Sequence, residues 1–152
     1  MSGSLFSNYL VLSISSDPWA VMADHAAACY PRECCGILLG SVSSNDERSV
    51  VRAVVCRNAY EGEQADHFEL DPKDQFEAQR EARRLGVEVI GFFHSHPDCD
   101  AYFSATDLKY SWPWYSNVVL SVRNGAVCDA KAFRANDDQT ESTSEELKCP
   151  KF

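Results

Sequence analysis

The sequence predicts one mixed α/β domain, with strands and helices alternating around a single sheet. Three observations lead there. A chain of 152 residues, 45 % hydrophobic and 24 % charged, has the size and balance of one soluble globular unit. Short Val- and Ile-rich runs alternate with longer segments that open on Asp-Pro pairs, a helix-start signature. The last two apolar runs meet across Arg123-Asn124-Gly125, where Asn-Gly is a strong hairpin signal.

Taken in order, residues 9–14 alternate weakly and read as a first strand. Asp17-Pro18 then opens a helix, with Asp as N-cap and Pro at the first helical position, and the helix stops before Tyr30-Pro31. Trp19, Val21, Met22, Ala26 and Cys29 supply its buried side. Residues 35–39, closed by Gly40, are a short buried strand, 41–48 is polar turn material, and Val-rich 50–56 is the next strand. A polar loop over 58–66 leads to a brief strand at 67–70. Asp71-Pro72 repeats the helix signature, and that helix runs to Leu85 with Gly86 just past its end. Phe76, Ala82 and Leu85 are its inward residues. The apolar run 87–93 has the mark of a central strand, 105–112 reads as a short helix, and 117–122 and 126–133 are the hairpin strands. These elements make one domain over residues 1–135, followed by a polar, acidic tail over 136–152.

Fourteen basic against 23 acidic residues give a net charge of −9. That balance lacks the basic footprint needed to hold nucleic acid or an anionic membrane. No run of ~18 apolar residues exists to span a bilayer, and the mildly apolar stretch 5–14 has no basic residue before it, as a secretory signal would. Seven cysteines contain no C-x-x-C pair, which excludes a thioredoxin motif or a zinc ribbon and points to a reduced, cytoplasmic protein. Cys34 and Cys35 read as small buried hydrophobes. Cys99 is the exception to watch, because it follows the segment that carries the chemistry.

That segment is Gly91-Phe92-Phe93-His94-Ser95-His96-Pro97. Histidines at i and i+2 of a strand share a face, with Cα atoms ~7 Å apart, so both imidazoles can converge on one ion. Pro97 ends ladder pairing and leaves the pair at a sheet end. Seven residues later comes Ser104-Ala105-Thr106-Asp107. Ser104 and Asp107 have the spacing of a helix capping box. Asp107 could equally swing inward as a third metal ligand, and Asp98, Cys99 and Asp100 are also in reach by spacing. Two histidines and a carboxylate leave one zinc position open for water. Upstream, Pro31-Arg32-Glu33-Cys34-Cys35-Gly36 places Glu33 at the entrance of an apolar strand.

Together, Glu33 in Pro-x-Glu-x-Cys-Gly-x-Leu-Leu-Gly and His94-x-His96-Pro97 with Ser104-x-x-Asp107 resemble the JAMM motif of the MPN metalloprotease family, most closely its compact bacterial branch. The resemblance extends from Tyr9 to Phe133. It implies a cytidine-deaminase-like MPN fold, a mixed central β-sheet flanked by helices. It also implies a zinc peptidase with His94, His96 and Asp107 as metal ligands, Glu33 as general base and then acid, and Ser104 as hydrogen-bond donor to the oxyanion. Family members cut peptide or isopeptide bonds after the C-terminal Gly-Gly of ubiquitin-like or sulfur-carrier proteins. The alternative is a non-catalytic MPN scaffold, a protein-binding module; such relatives usually lack the histidines or the Glu, which are all present here. A zinc deaminase would need Pro-Cys-x-x-Cys, which does not occur. The cluster Trp112-Pro113-Trp114-Tyr115 could face substrate or pack a tight turn.

Overall fold

The computed structural model describes residues 10–150, so the expected strand start at Tyr9 lies outside the described residues. In chain order the elements are β1 (Val11–Ile14), α1 (Ser16–Cys29), β2 (Cys35–Val42), β3 (Glu47–Cys56), α2 (Pro72–Leu85), β4 (Glu88–Pro97), α3 (Ala105–Tyr110), β5 (Ser116–Arg123), β6 (Ala126–Ala135) and β7 (Ser142–Lys148). The strands lie in the order β1-β3-β2-β4-β5-β6-β7, and β7 returns to pair with β1. Pairing is mixed: β1–β3, β4–β5 and β1–β7 are parallel, the other neighbours antiparallel.

The mixed sheet is as expected, and its strands close into a barrel. Closure depends on the stretch expected to be a polar tail, which contributes β7. Only Glu145 of that strand is buried, so β7 carries no apolar alternation for a sequence reading to detect. No helix among the described residues is long and apolar enough to cross a membrane.

Strand alternation divides the core. Leu38 of β2 joins Trp19, Met22 and Ala26 of α1 and Val118 and Leu120 of β5 in one cluster. Ile37 and Leu39, its neighbours on β2, join Ala78 and Ala82 of α2 in another. Gly36 lets the Phe93 ring lie against the backbone; a Cβ there would meet that ring at 2.1 Å.

The helix ends show where local signals hold. α2 starts as expected: Asp71 accepts a hydrogen bond from the Lys73 N–H at 2.9 Å, and Gly86 closes the helix in the left-handed conformation at φ 71°. Its inward stripe, however, is Ala78, Ala82 and the partly buried Leu85, while Phe76 is 63 % exposed. α1 begins two residues earlier than expected. Ser15, not Asp17, is its N-cap, and Asp17 sits in the first turn, where the helix dipole favours an acid. Residues 67–70 form no strand, only a single bridge between Asn58 and Leu70. α3 ends at Tyr110 because the chain is already extended at Ser111, which leaves Trp112 70 % exposed. Asn124 and Gly125 both have positive φ, 53° and 77°, as the hairpin signal requires.

Candidate metal centre

β4 is a central strand, antiparallel to β2 with Cys35 opposite His94, and parallel to β5. Its alternation puts His94 and His96 on one face and Ser95 on the other. Ser95 is fully buried and clasps the chain beside Glu33: its Oγ accepts from the Cys34 N–H at 2.8 Å, and its own N–H donates to the Cys34 carbonyl at 3.2 Å. The residue between the histidines therefore ties the strand that carries them to the segment that carries the acid.

Glu33 is also held from the loop over residues 57–71. Its N–H donates to the Gln64 carbonyl at 2.7 Å, and its carbonyl accepts from Asn58 Nδ2 at 3.3 Å. Asn58 Nδ2 also reaches the His67 carbonyl, while its Oδ1 accepts from the N–H groups of Tyr60 and Glu69, both at 3.1 Å. Gln64 Nε2 donates to the carbonyls of Asn58 and Tyr60. Sequence reading took this stretch as a polar loop and missed Asn58, Gln64 and Ser95. The available signal was Ser95, a polar residue on the inward side of an apolar strand; Asn58 and Gln64 carry none, since polar residues are ordinary in loops.

Asp107 forms the capping box and also lies against both histidines. It closes a capping box with Ser104: Ser104 Oγ accepts from the Asp107 N–H at 2.9 Å, and Asp107 Oδ2 accepts from the Ser104 N–H at 3.1 Å. The same Oδ2 lies 3.2 Å from His94 Nε2 and 3.2 Å from His96 Nε2, and the two Nε2 atoms are 3.2 Å apart. The cap sets the carboxylate's position, and the β4 alternation sets the imidazoles'. A tetrahedral ion with bonds of ~2.0–2.1 Å separates its donors by about 3.3–3.4 Å. The three atoms form a triangle of nearly that edge, so the donor set fits zinc. His96 Nδ1 lies 3.1 Å from the Asp100 carbonyl, which accepts the Nδ1 proton and leaves Nε2 free to ligate. Phe68 stacks on the His94 ring at 4.6 Å, and Tyr102 meets His96 edge-on at 5.0 Å.

Two of the competing third ligands are engaged elsewhere, and the third, Cys99, is not part of the group. Asp98 accepts from the Tyr30 hydroxyl at 2.7 and 2.9 Å, Asp100 pairs with Arg123 at 2.8 Å, and Cys99 is exposed. Among the described residues, His94, His96 and Asp107 are the group with metal-binding geometry.

Glu33 stands beside this group, 6 % exposed, and among the described residues its carboxylate makes no hydrogen bond. Burial, then the charges of Asp107 and Asp66, pushes its pKa up to about 8. Burial alone would raise Asp107 too. Hydrogen bonds and charge from His94 and His96, with the Ser104 N–H, instead hold it well below the usual carboxylate range. Burial pushes the thiols of Cys34 and Cys56 up to about 12, so they stay protonated, as expected of small core residues.

Two cavities meet at this centre. A cleft of about 460 Å³ is lined by Glu33 and Asp107 together with Phe68, Leu70, Tyr110 and Trp112. A smaller one of about 200 Å³ shares Glu33, Asp66, Thr106 and Asp107 and is completed by residues including His96, Cys99, Tyr102 and Ser104. The aromatic cluster after α3 is thus divided. Trp112 faces the cleft, whereas Trp114 lies over the buried Arg48 guanidinium at 4.3 Å.

The chain resembles known proteins throughout this region. It is 34 % identical over 115 residues to a desampylase of Haloferax volcanii, covering 72 % of this chain and 80 % of that one. It is 28 % identical over 128 residues to a CysO-cysteine peptidase of Mycobacterium tuberculosis, covering 84 % of each. The solution structure of a protein from Desulfitobacterium hafniense superimposes with a TM-score of 0.79 at 28 % identity, covering 93 % of this chain and 94 % of that one. The family described as prokaryotic homologs of the JAB domain matches residues 16–136, from the start of α1 to just past β6. Because that match spans every element that builds the triad and holds Glu33, the chain belongs to the prokaryotic JAB-domain family.

Proposed function

We propose that this protein is a zinc-dependent peptidase that hydrolyses the peptide or isopeptide bond after the C-terminal Gly-Gly of a ubiquitin-like or sulfur-carrier protein, in the cytoplasm. The observation that carries the reading is the 3.2 Å triangle of His94, His96 and Asp107 with the buried Glu33 carboxyl beside it. The related proteins named desampylase and CysO-cysteine peptidase support the substrate class. Seven unpaired cysteines agree with a reducing compartment.

His94, His96 and Asp107 would hold the metal. When bound, zinc supplies Lewis-acid polarisation of a carbonyl and lowers the pKa of water from ~15.7 toward ~7. Glu33 is placed to move the proton: it borders the same cleft as Asp107 and, as the carboxylate that a bound divalent cation would favour, can take a proton from water and return it to the departing amine. Ser104 Oγ spends a lone pair on the Asp107 N–H, which leaves its own proton for the oxygen that gains charge, a contact worth ~2.7–4 kcal/mol when removed. Asn58 and Gln64 fix the Glu33 backbone from the same loop that lines the cleft. A tail of two glycines presents no side chains to a cleft walled by Phe68, Tyr110 and Trp112.

The test is metal analysis paired with cleavage of a Gly-Gly-extended carrier, wild type against Glu33→Gln. The variant should keep its zinc and lose turnover by ~10²–10⁴-fold. A wild type that binds zinc and carrier without cutting would support the scaffold alternative. Full zinc content and activity in His94→Ala would overturn the site.

A further inference from the structure

α3 carries Asp107 near its start and leads at its other end into Tyr110, Ser111 and Trp112, which line the 460 Å³ cleft. The helix has six residues and none of them is buried. A helix this short does not hold its shape by itself, and packing does not fix this one. Hydrogen bonds do. The capping box with Ser104 holds the N-terminal end. At the C-terminal end the last carbonyls lack helical partners. Ser111 serves two of them: its hydroxyl donates to the Asp107 carbonyl at 2.5 Å, and its N–H donates to the Leu108 carbonyl at 3.3 Å. The next carbonyl, that of Lys109, accepts from Gln139 Nε2 at 2.9 Å, and the same amide donates to the Ser111 carbonyl at 2.5 Å.

Gln139 lies 30 residues beyond Lys109, in the loop between β6 and β7. That loop is stapled to itself. Asn136 Oδ1 accepts from the N–H groups of Thr140 at 2.8 Å and Glu141 at 3.0 Å. The Asn136 N–H donates to the Glu141 carbonyl at 2.9 Å, and the Gln139 N–H donates to the Asn136 carbonyl at 3.1 Å. Gln139 itself sits in the left-handed region at φ 61°, which is unfavourable for a residue with a Cβ. The staples hold it there with its amide on α3. The position also lies outside residues 16–136, the stretch that matches the family.

We propose that Gln139 is a positioning residue: it fixes the C-terminal end of α3, and with it the wall of the cleft formed by Tyr110, Ser111 and Trp112. The end of a helix gathers partial negative charge, so the position calls for a donor and repels an acceptor. Asp107 is set from the other end by Ser104 and the two histidines, so the metal group does not depend on Gln139. The wall does depend on it. Tyr110 is 66 % exposed and Trp112 hardly less open, so burial does not hold either ring once the last turn loosens. What fills the cleft rests on the peptidase reading above; the hold of Gln139 on α3 does not.

The test compares Gln139→Glu with Gln139→Lys. Both keep an unbranched side chain at the same backbone position, and at neutral pH only the lysine keeps a donor. Backbone order parameters over residues 109–112, measured by NMR relaxation, should be ~0.85 in wild type and fall below ~0.6 in Gln139→Glu. Zinc content of that variant should stay at the wild-type level. Its KM for a Gly-Gly-extended carrier should rise about tenfold with kcat within about twofold, the loss expected from two hydrogen bonds. Gln139→Lys should restore both the order and the KM. Wild-type order in Gln139→Glu, a loss of kcat or zinc in place of the rise in KM, or a lysine variant as loose as the glutamate would each overturn the assignment. If wild type neither binds nor cuts the carrier, the peptidase reading fails, and the order parameters of the two variants still decide the role of Gln139.

Discussion

Charge is buried at both ends of the barrel, under opposite rules. At the end where β4 and β5 begin, Arg48 is 1 % exposed and donates to Ser116 Oγ at 3.2 Å and the Ile90 carbonyl at 3.4 Å. Arg134 bridges Asp46 at 2.8 Å and Glu145 at 2.7 Å, and Ser116 Oγ donates to Glu145. Two arginines meet two acids there, and neither cavity reaches them. At the other end, Glu33 and Asp107 face each other across two histidines with no arginine or lysine among the groups that shift them. Paired charge fills its space and links β3, β5, β6 and β7. Unbalanced acid leaves a hollow suited to a cation, at a cost in the metal-free protein. One end ties four strands together through paired charge, and the other gathers three candidate ligand atoms beside an open cleft.

The largest effect should come from emptying the site. Asp107→Ala removes one corner of the triangle and one of the two hydrogen bonds of the α3 capping box, so zinc content should fall to trace and turnover to background, checked by metal analysis on the folded variant. Retained stoichiometric zinc would break the comparison. At the paired end, Glu145→Ala leaves Arg134 and Arg48 with Asp46 alone. Removing one partner of a buried ion pair costs ~3–5 kcal/mol, to be read from urea unfolding, and the folded fraction should bind zinc as wild type does. Loss of zinc there would mean that the two ends are not independent.

The smallest expected effect concerns pH. In the metal-free protein the Glu33 carboxyl is raised from 4.5 to about 8, so the native state holds a proton that the unfolded chain releases. Its contribution is fully present below pH 4.5 and is lost as pH rises toward 8. Metal-free wild type should therefore lose stability relative to Glu33→Gln over that window, on the order of a few kcal/mol at most. A pH-independent difference between the two in urea melts would show that Glu33 is not held under strain.

The extent to which the sequence revealed these features follows from their range. α2 was legible from end to end because Asp71 and Gly86 act within a turn of themselves. The hairpin at Asn124-Gly125 and the shared face of His94 and His96 are equally local. Phe76 was misplaced because α2 packs through the small faces of Ala78 and Ala82, a choice made by the strands beneath. β7 was missed because it is bound by backbone pairing and one buried acid, so hydrophobicity marks neither its presence nor its ends.

By itself, the sequence determined the spacing of the histidines, the cap that fixes Asp107 and the caps of α2, since each depends on backbone geometry over a few residues. The tertiary structure alone decided that the sheet closes through β7, that Ser95, Asn58 and Gln64 hold Glu33 against the triad, and that Asp66 borders the smaller cavity. These features bring together residues far apart in the chain. Their hydrogen bonds and charges acquire strength only where packing excludes water and removes the competing solvent partners.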